Sequence, residues 1–292
     1  MIPRFSLARP MTLDGAFAAF AAADGDAAYL AGGTEHLQVM KMGLAGFGTL
    51  VDLKRIEELK GIGIEDGNVR IGAATTHREI ERSDVIGRAV PALVALEGNV
   101  ANVRVRNQGT IGGNLAFAEP HSDPATFLLA CDATVELAAP TGRRTLAVGE
   151  FAIGPLATSR EPDEIITSIR IPRRRQGEGR GYAKIAFFER PAASVAARVR
   201  VEANRIAEAT VAVGSLVETP TLVPDAARAL VGVPAEEGDG DVDRAVATAT
   251  DAFSTLDAFP DLNGSVDYKL HLAGLLLRRA VRSAIREATT DA

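Results

Sequence analysis

The segment Ala28-Tyr29-Leu30-Ala31-Gly32-Gly33-Thr34-Glu35 begins as a short apolar run and continues into two adjacent glycines. The run 28–31 predicts a buried strand, and residues 35–42 predict a helix that ends at Gly43. Glycines at such a junction let backbone amides approach a ligand without an intervening Cβ. The start of a helix adds free N–H groups and partial positive charge, which favour a phosphate group. A tight turn without a ligand would use the same residues.

A second glycine-rich segment, Gly109-Thr110-Ile111-Gly112-Gly113-Asn114, has the same small-residue chemistry. Two such segments can hold the two halves of a diphosphate. Other nucleotide signatures are missing, because the sequence has no Gly-x-x-x-x-Gly-Lys-Ser/Thr motif. The pair Gly61-x-Gly63 lacks the third glycine of a dinucleotide fingerprint and precedes a predicted hairpin rather than a helix. A P-loop and a Rossmann fold are therefore both disfavoured.

Length and composition narrow the class of protein. A chain of 292 residues corresponds to about two domains, and its 47% hydrophobic and 24% charged residues are typical of globular proteins. The net charge, 32 − 38 = −6, disfavours binding to nucleic acid. The single cysteine, Cys131, cannot form an intrachain disulfide or hold an iron–sulfur cluster alone, and is expected to be a core residue. Without a long apolar stretch or a signal-peptide pattern, we expect no membrane span and a cytoplasmic location.

The pattern of elements predicts three units. Short strands alternating with helices indicate a first lobe over residues 1–56 and, after the hairpin signal Asp66-Gly67-Asn68, a second lobe over residues 57–175. A polar run at 173–179 marks a boundary. Residues 180–289 then show three strands followed by three helices, with the acidic segment 236–241 predicted as a loop between the first two helices.

The two glycine-rich segments carry a resemblance to a known family. Leu30–Glu35, followed by Met40-Lys41-Met42-Gly43, resembles the first flavin loop of the FAD-binding subunits of molybdenum hydroxylases. Arg106–Ala116 resembles their second loop, and Ala118–Pro124 fits its continuation. The similarity runs in order over nearly the whole chain and is to the medium subunits of carbon monoxide and xanthine dehydrogenases. It implies an α+β protein, namely a two-lobed FAD-binding domain of the vanillyl-alcohol-oxidase (PCMH) type followed by a C-terminal α+β domain with a small antiparallel sheet and helices.

The resemblance also implies a set of cofactor-binding residues. Backbone amides of the first segment would bind the FAD diphosphate from one side, and residues of the second segment would bind it from the other. No catalytic residue and no metal ligand is implied on this chain. The implied FAD-binding residues are Leu30, Ala31, Gly32, Gly33, Thr34, Glu35, His36, Thr110, Ile111, Gly112, Gly113, Asn114, Ala116, Asp123, Ile166 and Lys184.

Three of these residues have particular roles in the resemblance. Asp123 would accept hydrogen bonds from hydroxyls of the flavin sugar chain, and Ile166 would pack against an aromatic ring of the cofactor. Lys184 would lie near the isoalloxazine ring, where a cation favours reduced flavin. Without the resemblance, Asp123 before Pro124 is typical of a helix N-cap, and Lys184 is typical of a surface lysine whose apolar stem is buried.

The four histidines do not have the spacing of a metal site. His36 and His121 lie near the two glycine-rich segments and can either contact flavin or serve as solvent-facing or capping residues. His77 and His271 are far from both segments in sequence, and no role in the site is predicted for them.

The function implied by the resemblance is electron transfer within a complex, expected to be a heterohexamer. A large molybdopterin-containing subunit would oxidise the substrate, and a small 2Fe–2S subunit would pass electrons to FAD on this chain. NAD, a quinone or oxygen would accept them. One alternative is a stand-alone FAD-dependent oxidoreductase of the same fold, favoured by a covalent flavin link through His36 or His121. The other alternative is a flavin-free assembly subunit, favoured by a colourless protein that does not take up FAD.

Overall fold

The computed structural model describes residues 2–187, 190–235 and 240–290. Over these ranges, no helix has both the length and the apolar character needed to cross a membrane. The strands are β1 Ser6–Ala8, β2 Ala27–Leu30, β3 Thr49–Asp52, β4 Ile62–Glu65, β5 Asn68–Gly72, β6 Thr134–Ala139, β7 Gly142–Ala147, β8 Ala152–Gly154, β9 Ala157–Thr158, β10 Ile165–Pro172, β11 Glu178–Ala186, β12 Pro191–Glu202, β13 Arg205–Gly214 and β14 Thr221–Leu222. The α-helices are α1 Leu13–Ala21, α2 His36–Lys41, α3 His77–Glu81, α4 Asp84–Ala89, α5 Pro91–Glu97, α6 Val103–Arg106, α7 Ile111–Phe117, α8 Asp123–Ala130, α9 Val148–Phe151, α10 Pro224–Leu230, α11 Gly240–Asp251 and α12 Val266–Thr290.

The first lobe is built on a small parallel sheet with strand order β1-β3-β2. Helix α1 begins after Thr12, whose hydroxyl accepts a hydrogen bond from the Gly15 amide at 3.1 Å, and its apolar face packs on Val51 of β3. The first glycine-rich segment leaves the carboxyl end of β2 and leads into α2. Ligands of open α/β sheets bind at this end of the strands, so the lobe presents the segment where a ligand can reach it.

The second lobe contains a five-stranded antiparallel sheet with strand order β4-β5-β10-β6-β7. The hairpin predicted at residues 66–68 joins β4 to β5, and positive φ angles at Asp66 (+49°) and Gly67 (+76°) suit its tight turn. Strand β10 lies in the centre of the sheet and is buried along most of its length, which explains its isoleucine-rich sequence. Helices α3 to α8 all lie between β5 and β6 in the chain.

The C-terminal region is a four-stranded antiparallel sheet, β11-β12-β13-β14, flanked by helices. Helix α12 packs so closely on β11 that a Cβ on Gly179 would lie 1.9 Å from the Ala284 carbonyl oxygen. Helix α8 of the second lobe packs on β12 and β13, where a Cβ on Gly214 would lie 2.0 Å from Thr126 Oγ1. Because side chains alternate along a strand, Tyr182 and Lys184 of β11 project to the α8 side of this sheet. The predicted α+β arrangement is confirmed.

Two details differ from the sequence-based expectation or lie beyond it. The second glycine-rich segment is not an open loop, because Ile111–Phe117 form helix α7 and Gly112 and Gly113 occupy its first turn. Most of the acidic segment predicted as a loop, residues 236–239, lies outside the described residues, and Gly240 already begins α11. Cys131 follows α8 as a free, buried thiol, in agreement with its expected place in the core.

Candidate cofactor-binding cleft

The two glycine-rich segments, far apart in the chain, touch each other. A Cβ built on Gly32 would lie 2.2 Å from the carbonyl oxygen of Gln108 and 2.7 Å from Cα of Gly109. Only glycine fits at position 32, because any side chain would force the two segments apart. From the sequence, this glycine was expected to let a ligand approach the backbone closely. In the structure it permits contact between the two segments.

The first segment carries a row of unbonded amides. In the part of the chain that the structure describes, the N–H groups of residues 32–35 donate to no protein acceptor, while the Gly33 carbonyl accepts from Leu37 at 3.1 Å. Gly33 has a φ of +73°, a conformation that turns the chain here and that glycine adopts without strain. Helix α2 has only six residues, so these local N–H groups, rather than a long helix dipole, provide the positive potential.

The second segment has already used most of its amides. Gly112 N–H donates to the Ala73 carbonyl at 2.9 Å, Gly113 N–H to Thr110 Oγ1 at 3.1 Å and Asn114 N–H to the Thr110 carbonyl at 2.9 Å. The backbone N–H groups of these three residues therefore already have acceptors within the protein. The segment can still offer the Thr110 N–H, which donates to no acceptor among the described residues, and two side-chain donors, the Thr110 hydroxyl and the Asn114 NH₂. The Oδ1 atom of Asn114 accepts from Ser122 at 2.6 Å.

The two segments border a cleft of about 440 Å³, which is within the size range of small-molecule and cofactor sites. All the predicted cofactor-binding residues line it except Ile111, which is fully buried in the core, and Lys184. Several other lining residues were not predicted from the sequence, because all of them except Tyr29 come from segments with no motif of their own. Among them are Phe20, Tyr29, Phe47, His77, Arg160 and Ile165.

Asp123 lines the cleft and forms a buried pair with Lys184. Lys184 Nζ lies 2.5 Å from Asp123 Oδ2 and also donates to the Asn99 carbonyl at 2.8 Å, so the surface-lysine alternative is wrong. The Tyr182 hydroxyl donates to the other oxygen of Asp123. Burial raises the pKa of Asp123, and the bonds from Lys184 and Tyr182 oppose that shift. Asp123 is not an N-cap, because Ser122 occupies that position of α8.

The two histidines near the segments are in different states. The His36 ring packs edge-on against Phe47, its Nε2 is buried without a partner among the described residues, and burial lowers its pKa. His121 instead bonds Glu119 through Nδ1 and Asp261 through Nε2, each at 2.8 Å. His121 is therefore not a solvent-facing residue, and a covalent flavin link through it would have to break one of these bonds.

The His121 bonds make a pH-dependent contribution to stability. Burial alone would lower the pKa of His121, but Glu119 and Asp261 outweigh burial and raise it above 6.5. A raised histidine pKa stabilises the folded state below the unfolded-state pKa, and that stabilisation is lost as pH rises through the folded-state pKa. We expect His121→Gln to lower the free energy of unfolding by about 1.5–3 kcal/mol at pH 6 and by less at pH 9, as measured by urea unfolding. The exposed His271→Gln is the control, and an equal loss at both pH values would contradict the assignment.

The residues present fit an FAD molecule. The unbonded amides of residues 32–35 suit a diphosphate. The buried Nε2 of His36, which has no partner among the described residues, can form a hydrogen bond with a polar group of the cofactor. Apolar side chains of Leu30, Ile165 and Ile166 provide a wall for aromatic rings. Among the described residues, no group of three or more His, Cys, Asp or Glu side chains is arranged to hold a metal ion. Fold and site together define a two-lobed protein with a cleft for a flavin nucleotide.

Comparison with known proteins agrees with this class. Residues 3–174 match the family model described as the FAD binding domain in molybdopterin dehydrogenase, and residues 189–284 match that of the CO dehydrogenase flavoprotein C-terminal domain. The carbon monoxide dehydrogenase medium chain of Hydrogenophaga pseudoflava is 32% identical over 97% of both chains. The nicotine 6-hydroxylase medium subunit of Paenarthrobacter nicotinovorans is 31% identical over 97% of this chain and 98% of its own.

A solved structure gives the same result for the fold. The matching chain of the reconstituted CO dehydrogenase from Oligotropha carboxidovorans superimposes with a TM-score of 0.92 at 30% identity, covering 98% of this chain and 99% of the other. The protein therefore belongs to the family of FAD-binding medium subunits of molybdenum hydroxylases, and is an oxidoreductase subunit.

Proposed function

We propose that this chain is the FAD-binding electron-transfer subunit of a molybdenum hydroxylase complex, and that the cleft between the two glycine-rich segments holds the cofactor. The observation that carries the proposal is the row of four unbonded amides at residues 32–35 beside a cleft of cofactor size. Successive free N–H groups that line a cleft form a typical anion-binding arrangement, so this row suits an anionic ligand.

Each side of the cleft would bind the cofactor differently. The amides of residues 32–35 would donate to diphosphate oxygens, and the side chains of Thr110 and Asn114 would donate from the opposite side. Asp123 retains free lone pairs after accepting from Tyr182 and Lys184, and would accept from cofactor hydroxyls. Ile166 would pack on a ring and exclude water from it.

Bound FAD would supply the redox chemistry, and the chain would orient the cofactor and set its electrostatic surroundings. Lys184 places a cation next to Asp123, but it is not itself part of the cleft lining. Its main role would be to hold the Asp123 carboxylate in place. Arg160 lines the cleft and donates to the main-chain carbonyls of Glu161, Pro162 and Glu164, which fixes the wall that precedes β10.

The partners and acceptor belong to the same proposal. The relatives are medium chains, so we propose assembly with a large molybdenum-binding subunit and a small 2Fe–2S subunit in a heterohexamer. Iron–sulfur clusters and molybdopterin would then reside on those partners, and NAD or a quinone would accept the electrons. We also propose a cytoplasmic location, which suits a chain whose single cysteine is a free buried thiol.

The test is purification of the full chain together with the products of its neighbouring genes. We expect one complex that contains molybdenum, iron and flavin, with FAD released from this chain after denaturation. A chain that purifies alone, carries FAD and oxidises a substrate without partners would favour the stand-alone oxidoreductase. A colourless chain that takes up no added FAD would contradict the proposal and favour the assembly subunit.

A further inference from the structure

A buried imidazole–carboxylate pair lies at the cleft, and the proposed function assigns it no role. His77 opens helix α3, and its Nδ1 lies 2.7 Å from Oε2 of Glu97 at the end of α5. The His77 side chain is only 3% exposed and that of Glu97 is fully buried. With a carboxylate as partner, Nδ1 carries a proton and donates, and the remaining ring nitrogen, Nε2, faces other neighbours.

The ring of His77 is placed where the two glycine-rich segments meet. Its Cδ2, the carbon next to Nε2, lies 3.1 Å from the position that a Cβ on Gly109 would take, and Thr34 Oγ1 lies 3.5 Å from the same position. The His77 amide donates to the Gly109 carbonyl at 3.0 Å, which fixes this position. His77 lines the cleft, and its Nε2 has no hydrogen-bond partner among the described residues.

The burial of Glu97 favours a positive charge on His77. The second oxygen of Glu97, Oε1, is buried without a partner among the described residues, and His77 is the one side chain there that hydrogen-bonds this carboxylate. A buried carboxylate is costly unless a positive group accompanies it. Burial alone would lower the pKa of His77, but Glu97 and, from α8, Asp123 outweigh burial and the opposing charge of Arg106 on α6, so that the pKa is raised.

We propose that His77 is a cofactor-contacting residue that donates a charge-assisted hydrogen bond from Nε2 to the FAD diphosphate, and that Glu97 is the positioning residue that orients and charges it. This inference rests on the proposed function. It accounts for the asymmetry of the cleft, because most N–H groups of the second segment already donate to protein acceptors and the segment offers the diphosphate no cation of its own. His77, whose ring lies next to Gly109 of that segment, supplies the positive charge that the segment lacks.

The test compares two probes, FAD and riboflavin, because riboflavin lacks the diphosphate. Dissociation constants are measured on the full chain, within its complex where partners co-purify, for the wild type and for His77→Gln. We expect His77→Gln to weaken FAD binding about tenfold to hundredfold, the range for one hydrogen bond to a charged group, and to leave riboflavin binding nearly unchanged. The exposed His271→Gln is the matched control and should change neither. Equal weakening of both probes would indicate a structural role and overturn the inference.

The pH dependence tests the role of Glu97. Wild-type affinity for FAD should fall as pH rises through the His77 pKa, and His77→Gln should abolish this fall. Glu97→Gln removes the charge that holds the proton on His77, so the fall should move to lower pH by one unit or more, which is about tenfold in proton affinity. An unshifted profile in Glu97→Gln would overturn the positioning role.

The double variant His77→Gln/Glu97→Gln separates folding from binding. It leaves neither charge buried without a partner, so its melting temperature should recover relative to Glu97→Gln, while its affinity for FAD stays low. A folded double variant that binds FAD like the wild type would overturn the inference but leave the proposed function intact. A wild-type chain that binds no FAD would overturn both. If the double variant does not fold, the pH profile of Glu97→Gln decides.

Discussion

Replacing Gly32 with alanine should strongly weaken the binding of FAD to the chain. The new Cβ would lie 2.2 Å from the Gln108 carbonyl oxygen and 2.7 Å from Gly109 Cα, and backbone on both sides leaves it no room. The two segments must separate, which displaces the four unbonded amides from the second segment. Because each N–H donor to an anion contributes about 1.5–3 kcal/mol, loss of alignment should weaken FAD binding by more than about a hundredfold. Quenching of flavin fluorescence by the purified chain measures this change.

The control for this change is Gly87→Ala. Gly87 lies in helix α4, and a Cβ there would meet nothing within 4 Å, so the same added methyl group should leave FAD affinity unchanged. Circular dichroism should show that both variants remain folded. If Gly32→Ala retained FAD as well as Gly87→Ala does, contact between the two segments would not shape the cofactor site.

Replacing Lys184 with methionine should destabilise the fold strongly. Nζ of Lys184 lies 2.5 Å from a carboxylate oxygen of Asp123, which is 5% exposed. Removing one partner of a buried pair leaves the other charge without compensation, at a cost of about 3–5 kcal/mol. Urea unfolding should show this loss in the free energy of unfolding. Adding Asp123→Asn in the same chain should restore much of it, because no charge then remains buried alone.

A surface pair provides the comparison. Lys60 pairs with Glu57 at 2.7 Å, but the two side chains are 40% and 82% exposed, and exposed pairs contribute about 0–1 kcal/mol. Lys60→Met should therefore change stability far less than Lys184→Met does. Equal effects in the two variants would mean that Lys184 and Asp123 are not a buried pair in solution.

The local elements of the fold could be predicted well from the sequence. The turn at residues 66–68 formed the expected hairpin, and α2 lies within the helix predicted over residues 35–42. Such features depend on a few adjacent residues with fixed conformational preferences, which is why the sequence alone indicates them. The family resemblance added the order of the two lobes and the C-terminal domain.

The chemistry of the site was less predictable, because it depends on contacts between distant segments. Whether a glycine amide is free cannot be read from the glycine itself: Gly112 donates to Ala73, a residue of a different segment, and Gly33 donates to no described acceptor. No role was predicted for His77, because it is far from both segments in sequence. Backbone hydrogen bonds between residues 73–77 and 109–112 bring it to the cleft. A usable signal was the pair of polar residues, His77 and Glu97, on otherwise apolar helix faces.

The most direct test of the central claim is a crystal structure of the full chain, with its partner subunits, containing FAD. We expect diphosphate oxygens to lie within hydrogen-bond distance, about 2.7–3.2 Å, of the backbone nitrogens of residues 32–35. We also expect the flavin nucleotide to fill the cleft bordered by Thr110 and Asn114. FAD bound at another surface, or a diphosphate that makes no contact with the amides of residues 32–35, would contradict it.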